Sequence, residues 1–150
     1  MKVVEKPNFK IAGIGIITTV QKCSQDLKPG WDKFMSRISE INQVDPSKVL
    51  GFCKATDKDD CSFKYIACAE VAEEFIAPEG MEITEVPKSK YLVFTHKGPI
   101  EKIGETYGEI QMCGVPKSNM KQNGLWLEVY PHNYDPSSND SEMEILVGVN

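Results

Sequence analysis

The order strand, helix, strand, strand occurs twice along the 150-residue chain, and few architectures accommodate that repetition. In the first round, Lys10–Thr19 reads as a strand, with a break at Pro29-Gly30 after it. The stretch GWDKFMSRISEIN then carries Trp31, Phe34, Met35, Ile38 and Ile41 at helical spacing, with Asp32, Lys33, Ser36, Arg37 and Glu40 on the other side. VLGFCKAT and SFKYIACAEV follow as two strands joined by the polar loop DKDDC. Asp57, Asp59 and Asp60 in that loop lack the glycine and terminal glutamate of a calcium-binding hand, so a solvated hairpin tip is expected. The link EEFIAPEGMEITEVP holds one short strand around Met81–Val86. The second round is SKYLVFTHKG, a helix PIEKIGETYGEIQ opening on Pro99, LWLEVYP and EMEILVGV. The expectation is one α+β domain over residues 1–150 with halves 1–80 and 81–150. It comprises a curved, largely antiparallel sheet with two main helices on one face and a cleft between them.

Charge and composition narrow the partners. The formal charge is -5 and no run of Lys or Arg exceeds two residues, which argues against a nucleic-acid or anionic-membrane surface and favours cationic or neutral partners. The N-terminus MKVVEKPNFK lacks the apolar centre of an export signal. The longest apolar run, Ile11–Ile17, is far short of the roughly 20 residues that span a bilayer. A soluble, cytoplasmic protein is expected. Five cysteines without Cys-x-x-Cys spacing, and two distant histidines, His96 and His132, point to no metal, no disulfide framework, no cofactor and free, mostly buried thiols. Oligomeric state is not legible.

The stretch LWLEVYP poses the functional question. On a strand, Trp126, Glu128 and Tyr130 share one face and Leu125, Leu127 and Val129 the other, so both faces carry large apolar area around one acid. Three environments are open to Glu128: a wet outer face, a dry core where the acid takes up a proton, or a cleft floor. On a cleft floor, flanking rings exclude water and present electron-rich faces to a cation whose charge the carboxylate offsets. Phe52 and Tyr65 from the first half, Tyr91 or Phe94 from the second, Tyr107 on the second helix and Trp31 on the first are further candidates for such a box. Gly104 and Gly108 lie one turn apart beside Tyr107, each costing about 0.8–1.0 kcal/mol in a helix relative to alanine, and either close packing on the sheet or approach of a flat ligand would account for them. Glu101, Glu105 and Glu109 form an acidic row, most simply a solvated face.

The sequence of IAGIGIITT, the Trp-containing helix, VLGFCKA, FKYIACAEV, PEGM, SKYLVFTHKGPI and LWLEVYP resembles the GyrI-like small-molecule-binding domain, which is also the effector-binding domain of some AraC-type and MerR-type transcription activators. The resemblance spans nearly all of the chain. It implies a duplicated strand-helix-strand-strand fold with a hydrophobic cleft, and a glutamate, here Glu128, that meets cationic lipophilic drugs or dyes. No helix-turn-helix precedes the first strand, so a stand-alone binder without direct promoter contact is expected. The resemblance implies two alternatives. One is hydrolysis of cyclopropane-bearing alkylators, with Glu128 as the base that activates water; the other is a protein-interaction module that protects gyrase.

Overall fold

The computed structural model of the protein describes residues 2–55 and 62–150. Its strands are β1 (Lys2–Lys6), β2 (Phe9–Thr19), β3 (Lys48–Ala55), β4 (Ser62–Val71), β5 (Glu82–Val86), β6 (Ser89–Lys97), β7 (Gln122–Pro131) and β8 (Glu142–Val149). Helix α1 (Cys23–Ser36) lies between β2 and β3. Between β6 and β7 runs an uneven helical segment: a 3-10 turn at Ile100–Lys102, α2 (Ile103–Glu109), a π turn at Ile110–Gly114 and α3 (Val115–Ser118).

All eight strands join one antiparallel sheet in the order β1-β6-β8-β7-β3-β4-β2-β5. The order reads alike from both ends, with β7 and β3 meeting in the middle. The short links determine the shape. β1 reaches β2 through Pro7-Asn8 alone, and β5 reaches β6 through Pro87-Lys88 alone, yet each pair sits toward opposite ends of the strand order. A two-residue link spans at most about 11 Å. The sheet therefore curls until its edges nearly meet, where Lys88 pairs with Glu5 at 3.2 Å and Asn8 Nδ2 donates to Glu85 Oε1 at 2.8 Å.

Inside the curl lie Ile11, Leu50, Phe52, Ile66, Tyr91 and Leu127; the helices pack outside. Phe34 of α1 packs with Ile14, Ala67 and Val71, and Ile110 and Val115 pack with Leu92, Ile145 and Val147. This alternation along the strands produces two apolar layers, one on each side of the sheet.

The helix expected from Gly30 begins instead at Cys23 and carries Pro29 and Gly30 in its interior. The Pro-Gly pair is a contact point, not a break: a Cβ on buried Gly30 would lie 2.1 Å from Ile16 Cδ1, so the bare backbone lets α1 settle on β2. The first turn is tied down as well, Thr18 Oγ1 donating to Asp26 Oδ2 at 2.8 Å. Met35, expected on the buried stripe, is half exposed. Strand β1 was not expected, because KVVEK is short and three of its five residues are charged, as on a protected sheet edge. Of the four described thiols only Cys68 is buried; Cys23 and Cys53 are half-buried and Cys113 is exposed, and all four are free. Cys61 and the loop aspartates Asp57, Asp59 and Asp60 lie outside the described residues. Among the described residues no helix is long and apolar enough to cross a membrane, and no cluster of three or more His, Cys, Asp or Glu is placed to hold a metal.

Candidate functional site

Strand register delivers Glu128 to the middle of the sheet on its outer, helix-bearing face. The residue stands opposite Gly51 of β3 and Ile145 of β8, at the seam where β7 meets β3. Gly51 leaves room for what lies above it. A Cβ there would fall 2.2 Å from Tyr65 Oη and 2.7 Å from Glu128 Oε1, so any side chain would push apart the hydroxyl and the carboxylate.

Glu128 is 5% exposed. Tyr65 Oη donates to Oε1 at 2.6 Å, Tyr130 Oη donates to Oε1 at 2.8 Å, and Tyr107 Oη donates to Oε2. Tyr65, which accepts from Trp31 Nε1, has its own proton directed at the carboxylate, and an ionised carboxylate has lone pairs enough to accept from all three hydroxyls. None of the salt bridges among the described residues involves Glu128. Neutral dipoles thus hold the charge without cancelling it. Each hydroxyl bond to a charged group contributes about 1.5–3 kcal/mol, against a desolvation penalty of several kcal/mol.

Around this anion stand the rings. Trp31 donates from Nε1 to Tyr65 Oη at 3.0 Å and meets Tyr130 edge-on at 5.4 Å between centroids. Tyr107 from α2 tilts against Trp126 at 5.3 Å. Tyr130 meets Tyr134 edge-on, also at 5.3 Å. Burial first, and then the Glu128 charge, push the phenols of Tyr65, Tyr107 and Tyr130 well above the ordinary tyrosine range. They remain protonated donors. The Cys53 thiol, opposite both Tyr65 and Trp126 in the ladders, is raised by the same two causes in the same order.

Six of the sequence candidates, Glu128, Trp126, Tyr130, Tyr65, Tyr107 and Trp31, come together here. Phe52 and Tyr91 do not. Phe52 is one residue out of phase with Gly51, and Tyr91 with Leu92, so both point into the curl on the opposite side of the sheet. Phe94 is on the helix-bearing face, packed against Gly114 of the π turn. Gly104 and Gly108 are exposed, and a Cβ on either would meet nothing within 4 Å, so they do not mark close packing on the sheet. Two residues with a part in the site were missed. Gly51 carried a signal, a glycine inside VLGFCKAT that marks close approach within a strand; Tyr134, just beyond the Pro131 end of β7, carried none.

A family model of integron-associated effector binding proteins, Cass2, matches residues 2–149. The chain belongs to the Cass2 family. This Cass2-family chain is similar to the transcriptional regulator BrlR of Pseudomonas aeruginosa, at 28% identity over an alignment of 151 residues covering 99% of the chain and 54% of BrlR. The chain thus spans about half the length of that relative. Among solved structures, SAV2435 bound to tetraphenylphosphonium aligns with a TM-score of 0.78 at 16% identity, over 99% of this chain and 93% of the other. The integron cassette protein VCH_CASS2 from the mobile metagenome of Vibrio cholerae aligns with a TM-score of 0.73 at 20% identity, over 99% and 95%. At such identities the two structures establish the shared fold, which is the GyrI-like effector-binding fold that the sequence resembled.

Two surface hollows lie elsewhere. One is lined by Phe52, Lys54, Thr84, Pro87, Asn123 and Leu125 at the rim of the curl, and the other by Tyr134, Ser138 and their neighbours. Neither reaches Glu128, and the open cleft expected from sequence is closed by the tyrosines themselves. Charge and aromatic rings converge at the buried carboxylate and in neither of these two hollows.

Proposed function

We propose that the protein binds a hydrophobic aromatic cation at Glu128, as an effector-binding or sequestering module without catalytic turnover. The observation that carries this reading is a buried carboxylate held by three phenol hydroxyls, with no cationic side chain among the described residues paired to it and aromatic faces around it. A diffuse organic cation supplies what the site lacks, a positive charge that tolerates loss of water and rests on π faces. A small hydrated cation such as ammonium would lose its shell and gain less. The tetraphenylphosphonium found on SAV2435 is the natural probe, being bulky, aromatic and permanently charged.

Isothermal titration of tetraphenylphosphonium into the protein is expected to give saturable one-to-one binding. Glu128→Gln keeps the shape and removes the charge, and should weaken binding by about 2 kcal/mol, roughly 30-fold, for a guest a few ångströms from the carboxylate. Equal affinity of the variant would sink the electrostatic part of the reading. A neutral analogue of the same shape should bind weakly to both proteins.

A further inference from the structure

Of the three hydroxyls on Glu128, that of Tyr107 comes from the least secured element. Tyr65 and Tyr130 project from β4 and β7, each hydrogen-bonded to a strand on both sides. Tyr107 belongs to the seven-residue α2, which has no side-chain N-cap and runs into a π turn. Two exposed glycines flank the tyrosine, and Glu101, Glu105 and Glu109 place like charges at four-residue spacing along the same segment.

One buried side chain pins this segment. His96 of β6 is 2% exposed, with Nε2 3.0 Å from Pro99 O and Nδ1 2.6 Å from Thr106 Oγ1. A carbonyl can only accept, so Nε2 carries a proton, and Nδ1 and the Thr106 hydroxyl share the second hydrogen bond. Pro99 opens the helical segment and Thr106 immediately precedes Tyr107. A single imidazole therefore joins the start of the segment and its middle to the sheet.

We infer that His96 and Thr106 form a latch that keeps Tyr107 over Glu128, and that His96 is a positioning residue for the site; the consequence for affinity rests on the cation-binding reading above. Because the carboxylate is covered, a guest makes full contact only in molecules whose α2 has moved outward, and apparent affinity scales with that fraction. The latch thus stabilises the fold while opposing the guest. A side chain that merely supported the fold would give the reverse pattern, with affinity falling alongside stability when it is weakened.

The test uses the full chain and Thr106→Val, which keeps the branched shape, removes the hydroxyl and avoids the cavity that a His96 substitution would open. Thr106→Ser restores the hydroxyl and serves as the rescue. Without ligand, amide hydrogen exchange over residues 103–110 is expected to be at least about fivefold faster in Thr106→Val and unchanged in Thr106→Ser, with β7 and β8 unaffected. Tetraphenylphosphonium is expected to bind Thr106→Val about three- to tenfold more tightly although its thermal midpoint is lower. Wild-type exchange rates over α2 in Thr106→Val, or binding that weakens in step with stability, would overturn the latch. If the wild-type chain does not bind the cation at all, the binding reading falls, while the exchange measurement still decides whether His96 and Thr106 hold Tyr107 in place.

Discussion

Helix α1 and the segment containing α2 occupy matching places in the strand order, yet they are built to different standards. Helix α1 runs fourteen residues, presses Gly30 onto Ile16, buries Phe34 completely and ties Asp26 to Thr18. The opposite segment breaks into a 3-10 turn, seven α-helical residues and a π turn, and leaves two glycines facing solvent. One carboxylate lies between the two, receiving Tyr65, backed by Trp31 of α1, from one side and Tyr107 of α2 from the other. A sheet of symmetric order thus carries a firm wall and a yielding one. The lesson is that matching topology does not imply matching stiffness, because stiffness is set by side chains at particular contacts.

The largest expected effect is alkaline. Tyrosines whose folded-state values are raised contribute stability that is intact below the unfolded value near 10 and is lost as pH rises above it toward the folded values. Three such groups give a slope of about 4 kcal/mol per pH unit, measurable from urea midpoints above pH 10. Replacing each by phenylalanine removes its share. The share of Tyr107 should be the smallest, since α2 can turn that ring toward water; equal shares would erase the contrast between the walls.

Next come the substitutions themselves at neutral pH. Tyr65→Phe removes a bond to the charged carboxylate and takes the acceptor from the Trp31 N–H, for an expected loss of about 3 kcal/mol in chemical unfolding. Tyr107→Phe should cost about 1 kcal/mol, because only one bond is lost and the flexible segment admits water. Gly30→Ala should destabilise by about 2 kcal/mol, because Ile16 must give way. The smallest effect has the opposite sign. Gly104→Ala or Gly108→Ala places a methyl in open space on a helix, and each should raise stability by about 0.5–1 kcal/mol while weakening the cation by stiffening α2. A loss of stability there would mean that α2 is as tightly seated as α1.

Most of this framework was legible from period alone. Strands β2 to β8 and both helical regions announced themselves, because a sheet with apolar layers on both sides demands long runs of β-branched and aromatic residues. What failed did so for physical reasons. The first turns of α1, CSQDLK, face largely outward and carry no stripe, so Pro29-Gly30 read as an end and not as the place where helix and sheet touch. Phe52 and Tyr91 belong to the box only if their rings face the same side of the sheet as Glu128, which strand period alone does not tell. Only the register, with Gly51 beside Glu128, shows that they look inward. The acid between two rings was readable from LWLEVYP, and Tyr65, Tyr107 and Tyr130 were among its candidate rings; that their hydroxyls converge on it from β4, α2 and β7 required the fold.

The exchange of flanking strands has a mechanical consequence. Strand β1 lies against β6 although its own neighbour in sequence is β2, and β5 lies against β2 although it leads into β6. Each end of the hoop is hemmed by thread drawn from the far end, so neither side can peel away without dragging on the other. The carboxylate at the seam rests on a frame cinched twice, and the give that a guest needs is left to the cover above it.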